Sequence, residues 1–143
     1  MEHYREGDLV VVRLDKGDDV IGRLLGALKA EGARGAVMVT ALGAFEDVEF
    51  AYFDAKRKAY DRTTLEASHE VLGLTGIVAS SPEGEFQPHF HVTLGGPDHR
   101  AVGGHLFRAR VSVLAEFALR VVDNPVMRRE KEREFGLNAL RLK

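Results

Sequence analysis

The sequence predicts an α+β domain built on a curled, mainly antiparallel sheet, with one main helix near the N-terminus. Apolar residues recur at helical spacing from Val20 to Leu28, whereas most later segments alternate in polarity or are rich in β-branched residues, as strands are. The connections between them are short and carry Gly, Pro and Asp. With 143 residues, 45% of them hydrophobic, the chain is long enough to form a single domain over residues 1–143.

The first third of the chain predicts a strand, a helix and a second strand. Residues 9–14 are mostly β-branched, which is typical of a buried strand. Asp18 is the expected N-cap of the helix, and Gly32 is a natural residue to end it. Residues 36–42 form the second predicted strand.

The middle of the chain predicts antiparallel strands. Residues 48–53 and 60–65 are expected to be the two arms of a hairpin, with a basic run near its turn. Residues 70–80 are apolar but contain Gly73 and Gly76, which indicates a bent or bulged strand.

The last part of the chain predicts two strands and a short helix. Residues 90–94 form one strand, and residues 126–135 favour a helix that ends at Phe135-Gly136-Leu137. Between them, residues 111–122 alternate as a long strand with one apolar face made of Val111, Val113, Ala115, Phe117, Leu119 and Val121.

Composition excludes several classes of protein. The net charge is −2, from 20 basic and 22 acidic side chains, which disfavours DNA binding through a basic surface. The basic residues at 128, 129, 131 and 133 alternate with glutamates, so they predict a solvated, ion-paired helix face rather than a basic patch. There is no membrane-length apolar run, no signal-peptide pattern and no cysteine, so a cytoplasmic location is expected.

The histidines carry the strongest chemical signal. His89 and His91 are two residues apart on a predicted strand, so their side chains project from the same face. A return strand would bring His105 beside them, and the preceding Gly103 and Gly104 would allow the backbone to approach closely. Three imidazoles are a suitable ligand set for zinc or another divalent transition metal. The alternative is a polar role or a contact between subunits.

Other groups could complete such a site. Glu85 and Gln87 precede the histidine strand and are possible fourth ligands. Glu116 lies in an apolar run, where a carboxylate needs a partner, so it is a candidate catalytic acid or base or a hydrogen-bond partner of a ligand; a simple salt bridge is the equal alternative. Water in the fourth position would indicate a catalytic metal, and a protein ligand would indicate a structural one.

Taken together, these motifs resemble the PPC (plant and prokaryote conserved) domain family, in its prokaryotic single-domain form. The resemblance covers nearly the whole chain. It rests on the helix segment 17–32, Gly43-Ala44-Phe45, residues 70–76, Pro88-His89-Phe90-His91, Asp98, residues 102–106, Ala115-Glu116 and Phe135-Gly136-Leu137.

The resemblance implies an α+β fold, a homotrimer, and zinc held by the residues that match the family's ligands, His89, His91 and His105. The plant members join this domain to DNA-binding AT-hooks, but this sequence contains no Arg-Gly-Arg-Pro hook. The family fold is also similar to that of acetolactate decarboxylase, a zinc enzyme with three histidine ligands.

The sequence thus supports two main functions. The first is a zinc-binding, homotrimeric binding or regulatory module with an unknown partner. The alternative is a zinc-dependent enzyme on a small carbonyl or carboxylate substrate, in which Glu116 would handle protons and Arg108 or Arg110 would hold the carboxylate. DNA binding is a third candidate function, which the net charge disfavours.

Overall fold

The computed structural model describes residues 1–123 and 127–142. This part of the chain contains one helix and nine strands. In chain order they are β1 (Glu2–Glu6), β2 (Leu9–Asp15), α1 (Val20–Ala30), β3 (Ala36–Asp54), β4 (Ala59–Leu65), β5 (His69–Ser80), β6 (Phe86–Gly95), β7 (Ala101–Val121), β8 (Met127–Lys131) and β9 (Asn138–Leu142).

The strands form one curled sheet. Its main path runs β1-β2-β7-β3-β5-β8-β9, with β4 paired to β3 and β6 paired to both β5 and β7. The pairs β3–β5, β5–β6, β6–β7 and β7–β3 therefore close a circuit of four strands. Among the strands of the described residues, every pairing is antiparallel except a single parallel contact between β5 and β8. The predicted α+β fold with a curled antiparallel sheet is confirmed.

The helix lies where the apolar periodicity predicts it. Val20, Leu24 and Leu28 are fully buried in the core, as positions four residues apart on one helix face must be. The N-cap is Asp19, whose carboxylate accepts a 2.7 Å hydrogen bond from the Gly22 amide. The prediction of Asp18 was wrong by one residue, because the Asp18 carboxylate instead accepts from the Arg23 side chain.

Two segments that the sequence predicts as separate strands form a single strand. Residues 36–42 and 48–53 both belong to β3, which continues through the intervening residues with several register shifts against β7. Gly43, at φ 120°, allows this continuity because a Cβ there would lie 2.2 Å from the Leu114 carbonyl oxygen. The predicted hairpin follows as β3–β4, in which Val48 pairs with Leu65 and Phe53 with Tyr60.

The long apolar face predicted for β7 is interrupted at Val113. Phe45 pairs with Val111 and Gly43 with Ala115, so three β7 residues lie opposite one residue of β3. This bulge interrupts the alternation, and Val113 is 64% exposed. The remaining predicted positions, from Ala115 to Val121, are buried.

The helix predicted at 126–135 is wrong over the described residues 127–135. Residues 127–131 form β8, which pairs antiparallel with β9, and Gly136 at φ 73° lies in the connection. Met127 and Arg129 are buried whereas Arg128 is exposed, which is the two-residue period of a strand. Mixed charges are compatible with a helix or a strand, so the pairing with β9 determines that these residues form a strand. Residue 126 lies outside the described residues.

The core joins the helix to the inner face of the sheet. Phe45, Phe90 and Phe117 are its largest fully buried side chains, and the rings of Phe45 and Phe117 stack with their centroids 6.3 Å apart. The described residues include no helix long and apolar enough to cross a membrane.

Candidate metal centre

Three histidines converge at the junction of β6 and β7. His89 and His91 lie on β6, and His91 pairs directly with His105 on β7. One ring nitrogen from each residue lies within 4.8 Å of those of the other two. The Nε2 atoms of His89 and His91 are 3.2 Å apart.

Strand alternation presents the first two imidazoles on one face. Phe90 and Val92 point into the core and are 1% and 2% exposed. His89 and His91 alternate with them along the strand and therefore point outward. The predicted parity of β6 is therefore confirmed.

Close backbone approach places the third imidazole. A Cβ at Gly103 would lie 2.1 Å from the Val92 carbonyl oxygen, and one at Gly104 would lie 2.5 Å from that of Ala51. Only glycine fits such approaches without moving a neighbouring strand. The Gly-Gly pair thus lets β7 pack between β6 and β3 immediately before His105.

Burial keeps two of the imidazoles neutral. Burial, together with smaller contributions from the charges of His89 and His91, lowers the pKa of His105 to about 4. Burial also lowers the pKa of His89, with smaller contributions from Arg129 and His91. Neutral imidazole is the form that binds a metal, so both rings are ready to ligate at neutral pH.

The His105 ring is held by aromatic neighbours. Its centroid lies 5.0 Å from that of Tyr60 and 4.7 Å from that of Phe107. Its Nδ1 atom is buried and finds no hydrogen-bond partner in the described part of the chain. A buried polar atom without a partner carries a free-energy cost unless something else satisfies it.

The donor set fits a divalent transition metal. It consists of three imidazoles gathered on one face, and the His105 ring has a buried nitrogen without a partner among the described residues. Zinc, nickel, cobalt and copper all accept such ligands.

A cavity of about 650 Å³ opens beside the histidines. Its walls come from the histidine strands, from Tyr60 and from the β8–β9 hairpin, which contributes Arg129 and residues 136–140. A smaller cleft of about 200 Å³ is lined by Thr75, Gly76, Ile77, His89, His91 and Arg129.

Sequence reasoning missed Arg129. The alternating charges of residues 128–133 predict a solvated helix face, but Arg129 is only 7% exposed and lines both cavities. The signal that could have found it is alternation on a short strand, since Met127 and Arg129 share one parity.

The predicted catalytic residue lies elsewhere. Glu116 is exposed on β7, where it pairs with Arg13 and Leu42. It lies eleven positions from His105 along the chain, about 36 Å of strand at about 3.3 Å per residue. Within one chain, the structure does not bring Glu116 to the histidines.

The other predicted partners also lie apart from the cavity. Gln87 accepts a 3.4 Å hydrogen bond from Asn138, and Glu85 is exposed near the turn before β6. Arg108 lies 3.8 Å from Glu49, and Arg110 donates to the Gly17 carbonyl oxygen. None of these four side chains lines the cavity beside the histidines.

The family model of the Plants and Prokaryotes Conserved (PCC) domain matches residues 1–123. The chain belongs to this family. The resemblance drawn from the sequence is thereby confirmed. The part of this chain that matches the PCC domain includes all three histidines. The β8–β9 hairpin, which lines the cavity, follows the matched residues.

Solved structures of similar proteins support the assignment to the PCC domain. A PPC protein from Pyrococcus horikoshii is 26% identical, with 98% of this chain and 93% of that one covered and a TM-score of 0.83. A metal-containing protein from Archaeoglobus fulgidus is 29% identical over 95% and 94% of the chains, with a TM-score of 0.82.

A third similar structure is a candidate DNA-binding protein from Bacteroides thetaiotaomicron. It is 25% identical over 98% of this chain and 96% of its own, with a TM-score of 0.90. Among proteins with curated functions, none matches the sequence.

Proposed function

We propose that this PCC-domain protein binds zinc through His89, His91 and His105. The observation that carries the proposal is the convergence of three ring nitrogens within 4.8 Å. Ligand nitrogens about 2.05 Å from a tetrahedral zinc lie about 3.3 Å apart, and the His89–His91 Nε2 separation is 3.2 Å. Small rotations of the side chains would complete the geometry.

The metal-containing relative from Archaeoglobus fulgidus supports a metal site in this fold. Three imidazoles also accept nickel, cobalt or copper, so these divalent metals are the alternatives to zinc at this site. A bound metal of this kind supplies a Lewis acid that polarises a ligand oxygen.

We further propose that residues 1–143 form one domain that assembles as a homotrimer and acts as a binding or regulatory module. The resemblance to the family supports the trimer, and exposed apolar side chains offer a surface for it. Val11 and Leu42 are 45% and 58% exposed and line one shallow groove on the sheet, and Val113 and Leu114 are exposed on the adjoining β7. The partner of the module is not identified.

The charge of this chain disfavours DNA binding. The Bacteroides relative is a candidate DNA-binding protein, but a net charge of −2 gives this chain little electrostatic attraction for phosphates. A cytoplasmic location stays a prediction from the sequence.

Elemental analysis tests the proposal directly. Protein purified without chelators or metal-affinity resin should contain about one zinc per chain, and light scattering should give the mass of a trimer. Protein that neither contains nor takes up a stoichiometric divalent metal would refute the metal site. A monomer at micromolar concentration would refute the assembly.

The cavity supports a second function, a metal-dependent enzyme on a small carbonyl or carboxylate compound. Its volume of about 650 Å³ suits a small molecule, and two of the three histidines line it. The test is incubation of zinc-loaded protein with a panel of 2-oxo and 2-hydroxy acids, followed by NMR. Turnover that the His91→Ala variant lacks would establish the enzyme, and no turnover in the panel would reject this substrate class.

A further inference from the structure

Arg129 is a buried cation without a counter-charge among the described residues. Its side chain is 7% exposed, and its Nη1 donates a 3.1 Å hydrogen bond to the Asn138 carbonyl oxygen. Its Nε is buried without a hydrogen-bond partner, and no carboxylate among the described residues forms an ion pair with the guanidinium. Burying an unpaired charge is costly, so such a group is retained where something outside the fold compensates it.

The position of Arg129 indicates where the compensating charge would lie. The residue lines both cavities that have the proposed metal ligands in their walls. An anion in the larger cavity would therefore contact a cation on one side and the proposed metal ligands on the other.

The remaining walls indicate the kind of anion. Tyr60, Ile77, Leu137 and Leu140 give the cavity apolar sides, which suit an organic body rather than a bare inorganic ion. Arg129 is the one cationic side chain among the described lining residues, and Glu132 is the one carboxylate. Glu132 is engaged as an acceptor from the backbone amides of Glu134 and Phe135. A single cation beside a carboxylate favours a monoanion over a phosphate dianion.

We propose that this cavity binds a small organic carboxylate, with the carboxylate group held by the guanidinium of Arg129 and the apolar body against the β8–β9 hairpin. Arginine is suited to this because its planar fork matches a carboxylate. The inference rests on the proposed metal site in one respect only, which is that the end of the ligand away from Arg129 faces the histidines.

Calorimetric titration of the full-length protein tests the proposal. The probes are pyruvate, 4-methyl-2-oxopentanoate and phenylpyruvate, with the neutral amide of 4-methyl-2-oxopentanoate and inorganic phosphate as comparisons. We expect at least one carboxylate to bind at millimolar concentration or tighter, and to bind at least tenfold more tightly than its amide or phosphate. No binding by any carboxylate, or equal binding by the amide or phosphate, would overturn the proposal.

Two neighbouring arginines provide matched variants. Arg129→Met should weaken carboxylate binding at least tenfold, whereas Arg128→Met, at an exposed position on the same strand, should leave it unchanged. Arg129→Lys keeps the charge without the fork and should fall between them. Unchanged binding in Arg129→Met would overturn the proposal, as would loss of the native oligomer, since Arg129 would then serve a subunit contact.

Metal content, measured on every sample, separates this inference from the proposed function. Carboxylate binding that depends on Arg129 in protein without metal would support the inference while the metal proposal failed. A full complement of metal with no carboxylate binding would refute the inference and leave the metal site standing.

Discussion

His91 on β6 lies directly opposite His105 on β7, and this one register position assembles the candidate metal site. The two residues are far enough apart in sequence to need a turn and a return strand between them. Their pairing fixes the distance between the imidazoles through the hydrogen-bonded backbone, so rigid strands rather than loops position the ligands.

Removal of one histidine should abolish tight metal binding. His91→Ala leaves two ligands, and we expect metal affinity to fall by two orders of magnitude or more. The measurement is zinc per chain by mass spectrometry after dialysis against a weak chelator. His99→Asn is the control, since His99 is exposed in a turn with φ 61°, a conformation that asparagine tolerates. Full metal content in His91→Ala would remove His91 from the site.

Two glycines of β5 should respond very differently to an added methyl group. A Cβ at Gly76, at φ 154°, would lie 2.1 Å from the His89 carbonyl oxygen, whereas one at Gly73 meets nothing within 4 Å. We expect Gly76→Ala to lower the free energy of unfolding by about 3 kcal/mol and to reduce metal content, because the backbone at His89 must move. Gly73→Ala should cost less than about 1 kcal/mol. Denaturant titration measures both, and equal effects would show that the close approach at Gly76 is unimportant.

The metal-free protein should lose stability in mild acid. The pKa of His105 falls from an unfolded value near 6.5 to about 4 in the fold, so the unfolded state binds its proton first. The free energy of unfolding is therefore fully retained above pH 6.5 and falls as the pH drops from about 6.5 to about 4. Urea titrations of chelator-treated protein across that range measure the loss.

A variant without the His105 imidazole provides the control for the acid effect. His105→Phe keeps a ring between Tyr60 and Phe107 and removes the titrating group. Its stability should depend less steeply on pH between 6.5 and 4 than that of the wild type. An identical slope in both proteins would assign the acid effect to other groups.

Arg129 should be dispensable for stability. Burial lowers the pKa of Arg129, which shows that its charged form is disfavoured in this place. We expect Arg129→Met to leave the free energy of unfolding unchanged or to raise it by about 1 kcal/mol, because a buried charge with no carboxylate partner in the described part of the chain is replaced by an apolar chain of similar length. Differential scanning calorimetry measures the change, with Arg128→Met as the exposed control. A loss of about 3 kcal/mol or more would indicate a structural ion pair instead.

The elements that the sequence predicted well are those whose own residues decide their conformation. The helix at Val20–Ala30 has an apolar stripe and an aspartate cap, and β6 has strict alternation around His89 and His91. The bulge at Val113 and the strand β8 could not be predicted, because both depend on which residues lie opposite.

The same distinction holds for the site. The spacing of His89 and His91 determined by itself that these two imidazoles would share one face, since strand alternation is a local property. The position of His105 beside them depends on the register between β6 and β7, for which the preceding glycines were only an indication. Only the tertiary structure decided what surrounds them. The fold places Glu116 far from the histidines along β7. The pairing of β8 with β9 buries Arg129 beside the histidines. Those placements follow from strand register across the curled sheet, which is set by contacts between segments distant in the chain.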